Sequence, residues 1–304
     1  MYVSAPQAFL RDRVAAVYNK TGTVKNGDRV DVIDREKRFV KVRTSTGVEG
    51  WIEQRFVIPQ QTYDSFQKLA QAHQNDVLQA SGTTRNDTNL HIAPGRESEH
   101  LYLLTAGTKV SILARGTAEK AGVVVASNLA GKKENKPAPV ALEDWWLIRD
   151  AQGRAGWLLA RMVDLDVPLE IAQYAEGERF MGFFALNAVQ DGDKKVPQYL
   201  AQLTEPKDGQ PYDYDKVHVF TWNVRHHRYE TAYREHNLNG VLPVTVTHED
   251  FGREGDLPVF ILRVKNDSGN VVERKYKLNT PIVRRVLAPG EAPAKPAAGR
   301  KKRR

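Results

Sequence analysis

The sequence contains no cysteine, which excludes disulfides, thiol nucleophiles and cysteine-ligated zinc. No stretch approaches the ~18 apolar residues that a membrane-crossing helix needs. Catalytic signatures are missing as well: there is no Gly-x-Ser-x-Gly elbow, no Walker loop, no dinucleotide fingerprint and no His-Glu-x-x-His pair. These gaps argue against an enzyme and imply no cofactor and no metal. Met1 runs directly into a strand-like stretch with no signal-peptide pattern. A complete cytosolic chain reads this way, and so does a mature segment whose leader was removed.

What is present is a repeat. The stretch Phe39, Val40, Val42, Arg43, Gly47, Gly50-Trp51-Ile52, Arg55 and Val57 returns as Trp145, Trp146, Ile148, Arg149, Gly153, Gly156-Trp157-Leu158, Arg161 and Val163, always 106 positions later. Leu10, Gly27, Val30 and Val32 return as Leu90, Gly107, Val110 and Ile112 at an offset of 80. The offsets differ by 26, so one insertion of that size separates Ile112 from Trp145, and residues 116–143 fit it. Self-similarity at fixed register means that one small unit is used twice. Each unit reads as short strands: Val30, Val32 and then Val40, Val42 alternate with charged residues, and Val110, Ile112 and Trp146, Ile148 repeat the pattern. Gly47 and Gly153 mark turns. Gly50 and Gly156 sit inside strands, where a missing side chain points to a bulge or a close backbone approach. Trp51 and Trp157 are the expected centres of two small cores.

The residues Leu90, Ala93-Pro94-Gly95, Gly107-Thr108-Lys109-Val110, Trp145-Trp146-Leu147-Ile148 and Gly156-Trp157 resemble the bacterial SH3 domain. The first copy, with Gly27-Asp28-Arg29-Val30 and Gly50-Trp51-Ile52, is similar but departs at its opening: Leu10-Arg11-Asp12-Arg13 lacks the Gly-Pro, and Arg38-Phe39 stands where that family often has tryptophan. The resemblance covers residues 2–58 and 84–165. It implies strongly bent β-barrels that act as binding modules in bacterial envelope and cell-wall proteins.

The 304 residues leave room for two or three domains, and 41% hydrophobic content permits packed cores. The expected organisation is an SH3-like barrel over 1–59, a helical linker over 60–83, and a second barrel over 84–165 carrying the insertion. A separate, mostly antiparallel β domain of unrecognised type follows over 167–287, then a disordered basic tail over 288–304. The linker helix rests on Tyr63, Phe66, Ala70, His73 and Val77 at helical spacing, with Thr62 as a cap and Ser81-Gly82 as a stop. The insertion reads as a short apolar strand or hairpin over 122–126, then a polar loop over 131–137, and serves equally as a functional loop or a neutral extension. In the third domain, strand alternation runs through 216–222, 242–246, 258–262 and 271–278, with a hairpin turn at 267–270. Of the net charge of +8, the run 300–304 supplies five positive charges. The basic balance therefore belongs largely to the tail and does not imply a basic face on the folded domains.

Residues 226–236 form the densest polar cluster, with His226, His227 and His236 beside Glu230 and Glu235. A metal site there is the weaker reading, because strand spacing would put His226 and His227 on opposite faces; a solvated β-ribbon with Arg–Glu pairs is the stronger. Trp222, Tyr229 and Tyr233 read as core before ligand platform. Adjacent strand residues face opposite ways, so if Trp146, in register with Val40, points inward, Trp145 points outward, where it either binds a ligand or packs beneath the insertion. The ligand-binding candidates are Trp145, Trp51, Trp157 and Phe39. No catalytic, cofactor or metal residue is assigned. The tail lacks the aromatics that nucleic-acid contact would want, so specific nucleic-acid binding is disfavoured.

The expectation is an all-β, non-enzymatic, modular binding protein of the bacterial cell envelope, taking cell-wall peptides or a protein partner. If no leader was removed the compartment is the cytoplasm, and membrane anchoring would need a lipidated segment upstream. The alternatives are an enzyme with its active site in 167–287, or a cytosolic scaffold or nucleic-acid binder using the tail.

Overall fold

The computed structural model describes residues 1–124 and 140–287. The fold is all-β: strands account for 58% and helix for 11%. The basic tail over 288–304 and the polar loop over 131–137 lie outside the described residues. The chain divides into two compact units, one of Met1–Phe180 with Glu205–Pro211, the other of Met181–Thr204 with Tyr212 onward.

The first unit opens with β1 (Tyr2–Val3), β2 (Gln7–Arg11), β3 (Lys20–Lys25), β4 (Val30–Glu36), β5 (Phe39–Thr44), β6 (Glu49–Glu53) and β7 (Val57–Ile58). The sheet runs β3-β2-β6-β5-β4, and β1 pairs with β7. Helix α1 (Gln60–Ala72) follows, then β8 (Ala80–Thr84), β9 (Thr88–His91), β10 (His100–Leu104), β11 (Lys109–Val124), β12 (Val140–Asp150), β13 (Ala155–Leu159) and β14 (Val163–Leu165). Their order is β10-β9-β13-β12-β11-β8-β14.

The two ladders coincide residue by residue. Val32↔Val42 and Asp34↔Lys41 flank an irregularity at Ile33, and Ile112↔Ile148 and Ala114↔Leu147 flank one at Leu113. Val40↔Ile52 and Lys41↔Trp51 correspond to Trp146↔Leu158 and Leu147↔Trp157. Arg11↔Trp51 corresponds to His91↔Trp157. Only the opening strand slips: the pair Val3↔Val57 corresponds to Thr84↔Val163, an offset of 81 where the next strand has 80.

The cores are aliphatic rather than centred on the tryptophans. Leu10, Val40, Val42 and Ile52 are buried in the first sheet, and Leu90, Ile112, Ile148 and Leu158 in the second. Trp51 and Trp157 are only half-buried, which corrects their assignment as core centres. The reason is the strand period. Ile52 and Leu158 point into the barrel, so their neighbours Trp51 and Trp157 point out of it. The glycines before them permit close approach. A Cβ at Gly50 would lie 2.7 Å from Leu10 Cβ, and one at Gly156 would lie 2.5 Å from Leu90 Cγ. Gly47 and Gly153 take positive φ, 84° and 76°, at the intervening turns. Val32 is partly exposed while its counterpart Ile112 is buried, because β11 has a second neighbour in β8 and β4 has none.

Helix α1 is shorter than its spacing suggests. It ends at Ala72, so Val77 lies outside it and is exposed. Pro59, not Thr62, precedes the first turn; Thr62 is buried and donates to Glu99 Oε2 at 2.9 Å. Ser81 and Gly82 belong to β8 instead of a stop signal. Arg149 Nη1 donates to the carbonyls of His73 at 2.8 Å and Gln74 at 2.6 Å, capping the C-terminal end with a cation. Phe66 packs edge-on to Tyr102 and Tyr63 stacks on Tyr2, 3.8 Å between ring centres.

After α2 (Leu169–Ala172) come β15 (Arg179–Asp191), β16 (Lys194–Thr204), β17 (Lys216–Asn223), β18 (Arg228–Glu235), β19 (Gly240–Asp250), β20 (Asp256–Lys265), β21 (Val271–Asn279) and β22 (Ile282–Val286). They form two four-stranded antiparallel sheets, β15-β16-β17-β18 and β19-β20-β21-β22, each in chain order. The compact second unit begins at Met181 and leaves out residues 205–211, against the expected domain start at 167.

Because Gly156 is pressed against Leu90, Gly156→Ala should destabilise the second sheet by about 1–3 kcal/mol, the cost of overpacking, and Gly50→Ala the first. Alanine at either position with an unchanged denaturation midpoint would show that the barrel relaxes around the added methyl.

Candidate ligand-binding cleft

Strand β12 is buried on both faces through residues 143–148. Trp146 faces the barrel interior side with Ile148, and Trp145 shares the outer face with Leu147. Trp145 nevertheless has only 2% of its surface accessible, so its place on the outer face does not make it an exposed platform. His91, from β9, sits edge-on to it with ring centres 5.2 Å apart, and His100, from β10, lies 5.5 Å from His91. The insertion begins as strand: β11 and β12 extend their pairing through Gly116↔Trp145 and Glu119↔Leu142 to Val124↔Val140.

Around this edge opens a cleft of about 430 Å³, lined by Thr88, Asn89, His91, His100, Trp145, Leu159, Arg161 and Met162 with Asp87 and Arg96. His91 Nδ1 lies 2.9 Å from the Ser98 carbonyl, so Nδ1 carries the proton and Nε2 is an acceptor. Burial pushes both histidines below their ordinary pKa, only partly offset at His91 by that hydrogen bond. Arg96 grips Glu143 through two bonds of 2.8 Å, holding that carboxyl low. Arg161 is exposed, and no hydrogen bond or ion pair engages its guanidinium among the described residues. The Trp145 Nε1–H is buried without an acceptor.

A second cleft of about 320 Å³ shares Arg161 and is walled by Trp146, Val163, Leu165, Val167 and Phe180. Between them runs a buried ion network that no sequence motif announced. Asp144 is 1% exposed and accepts from Arg115 Nη2 at 2.7 Å, Arg179 Nη2 at 2.7 Å and the Gly209 N–H at 3.0 Å. Burial opposes its ionisation, but the Arg115 and Gly209 hydrogen bonds outweigh burial and its pKa falls below the ordinary range. Arg115 also donates to the Gln210 carbonyl and Arg179 to Asp208. The one sequence signal was the Glu143-Asp144 pair preceding two tryptophans in an apolar strand.

The other candidates do not gather here. Phe39, the counterpart of Trp145, is buried under the Arg11 guanidinium, 5.1 Å from its ring, with Arg38 at 5.7 Å. Arg11 is itself tied to Glu53 at 3.1 Å, so this ledge is filled where the second sheet has a cleft. Trp157 and Pro94 both close on Gly116, and Trp51 stays half-buried on the outer face opposite Lys41. His226 and His227 lie in the turn after β17, not on a strand, and pair with Glu230 and Asp191. Among the described residues no group of three His, Asp or Glu side chains could hold a metal ion. Tyr229 is buried, and its hydroxyl donates to the Pro197 carbonyl at 2.8 Å. In the second unit Glu235 accepts from Tyr233 and Tyr276 hydroxyls at 2.7 Å and Arg274 Nη1 at 2.9 Å. Burial and the Glu235 contact push Tyr276 up to about 12 and Tyr233 higher still, so both phenols keep their protons and act as donors.

Residues 7–58 match the bacterial SH3 domain family. A search of curated protein sequences returns no significant match. A solved structure described as an NlpC/P60 family protein from Bacillus cereus ATCC 10987 aligns at 11% identity, covering 62% of this chain, with a TM-score of 0.25. The chain spans about 64% of that protein.

Two expectations follow. Asp144→Ala leaves two arginines around an empty site and should cost about 3–5 kcal/mol, read by chemical denaturation. His91 and His100 are held neutral by burial, so their contribution to stability is complete above the ordinary histidine pKa and is lost as pH falls below it. Acidification should therefore lower the melting temperature, and His91→Gln, which retains a donor for Ser98, should flatten that dependence. A pH profile identical to the parent's would remove His91 from the account.

Proposed function

We propose that this chain is a non-catalytic, modular binding protein of the bacterial cell envelope, in which residues 84–165 are a second SH3-like module and take a cell-wall peptide or protein segment at the Trp145 cleft. The family match at 7–58 supports the class, since bacterial SH3 domains bind cell-wall or protein ligands. The coincident ladders support the second module. The observation that carries the choice of site is the contrast between the two ledges: Arg11 covers Phe39 in the first, while His91 leaves a cleft of about 430 Å³ beside Trp145 in the second. That cleft joins aromatic edges to an unengaged guanidinium, a combination suited to peptide recognition. The Glu235 cluster is a closed set of donors and acceptor, and it favours a structural role over the enzyme alternative.

The test is cosedimentation of the full chain with purified cell-wall sacculi. Trp145→Phe keeps most of the buried area and removes an unsatisfied donor, so the fold should hold while retention drops about fivefold. Trp145→Ala, in contrast, should cost ~3–5 kcal/mol of stability. Phe39→Leu should leave retention unchanged. Equal retention of Trp145→Phe and the parent would move the site elsewhere, and no retention of the parent would end the cell-wall reading.

A further inference from the structure

A third cleft, of about 730 Å³, adjoins the Trp145 cleft at Arg161 and is lined by Lys120, Leu142, Lys207 and Val140. Its apolar floor is open: Val140 is 56% and Leu142 39% exposed. The charges around the two clefts are distributed unevenly. Glu143 is gripped by Arg96 and is itself 4% exposed. Asp208 is taken by Arg179, and Asp144 by Arg115 and Arg179. Asp87, at the far end, accepts the Ala106 N–H at 2.9 Å. The exposed side chains of Arg161, Lys120 and Lys207, by contrast, make no hydrogen bond or close ion pair among the described residues, although Arg161 and Lys120 lie near enough to Glu143 to help hold its carboxyl low. The walls thus set Glu143, Asp144 and Asp208 against arginines, leave Asp87 at the far end on a backbone donor, and present three exposed cations beside apolar surface. Such a wall attracts anions from a distance and selects them at contact.

From this arrangement we infer that the ligand is an acidic peptide, with a carboxylate on Arg161 where the clefts meet, further carboxylates on Lys120 and Lys207, and its apolar portions on Leu142 and the Trp145 edge. An arginine fork suits a carboxylate held in one orientation, and the two lysines suit charges held less strictly. The inference rests on residues 84–165 being a binding module and names the chemical class of what that module takes.

The experiment is a fluorescence titration of the full chain with a tri-glutamate peptide bearing a free C-terminus, with its uncharged tri-glutamine amide, and with a short single-stranded DNA. Arg161→Gln and the double variant Lys120→Gln/Lys207→Gln are compared with the parent after circular dichroism shows them folded. All three positions are exposed, so folding should persist. The tri-glutamate peptide should bind, weakening at least tenfold in Arg161→Gln and several-fold in the double variant. It should also weaken as salt rises from about 50 to about 300 mM. The tri-glutamine amide should bind at least tenfold less tightly than tri-glutamate. Equal binding of the two peptides, or undiminished binding of tri-glutamate to Arg161→Gln, overturns the inference and leaves cell-wall retention to be judged separately. DNA binding as tight as tri-glutamate with the same loss in Arg161→Gln also overturns it, because the surface would then be a general polyanion site. Loss of sacculus retention together with intact, Arg161-dependent tri-glutamate binding supports the inference and removes only the cell-wall setting.

Discussion

Asp144 is a carboxylate with almost no access to water, and it keeps its charge because two guanidiniums and a backbone N–H converge on it. Removing a charge from water costs several kcal/mol unless it is paired and hydrogen-bonded. Each partner is therefore under constraint: Arg115 on β11, Arg179 at the start of β15, and the segment 205–211, which supplies the Gly209 N–H and the Gln210 carbonyl. This one carboxylate accounts for residues 205–211 belonging to the first compact unit although they join two strands of the second. It also holds β12 where Trp145 and Trp146 form the walls of separate clefts.

The placement of aromatics follows from what covers each face. The inner face of both sheets is filled by aliphatic side chains, leaving Trp51 and Trp157 on the outside of tightly bent strands. The outer face of the second sheet receives further layers, with α1 lying against β13 and His91 against Trp145, and this extra cover is why Trp145 is buried without being a barrel-core residue. In the first sheet the same register position is closed by a single salt-bridged arginine. Two sheets with matching ladders thus have two different surfaces, and the difference is chemical: Arg11 with Glu53 on one, His91 with Ser98 on the other.

Charge is arranged with the same economy. Glu143, Asp144 and Asp208, beside the clefts around β12, are committed to arginines, so the exposed Arg161, Lys120 and Lys207 weigh most in the local field. The chain's overall basic balance gives no indication of this, since its excess sits mainly in the run 300–304. The composition describes the tail, and the pairing pattern describes the surface.

The repeat, the strand periods and the turn glycines were legible in the residues, because they reflect local rules: alternation in a strand, positive φ at a turn, and a glycine where two backbones meet. Gly50 and Gly156 could be read as close-approach positions without knowing that Leu10 and Leu90 were the neighbours. The helix boundary was less legible, since the spacing through Val77 continued a helical pattern that Arg149, from 75 residues away, cuts short at His73 and Gln74. Exposure was not legible at all. Alternation assigned Trp145 to the outer face, and that was as far as a period of two could reach, because it distinguishes faces and says nothing of what lies on them. The cover over Trp145, the convergence of Arg115 and Arg179 on Asp144, and the freedom of Arg161 all join residues distant in sequence. The sequence by itself determined the repeat and the strands that alternation marks; only the tertiary structure decided which side chains meet water, because burial depends on neighbours brought together by the whole chain.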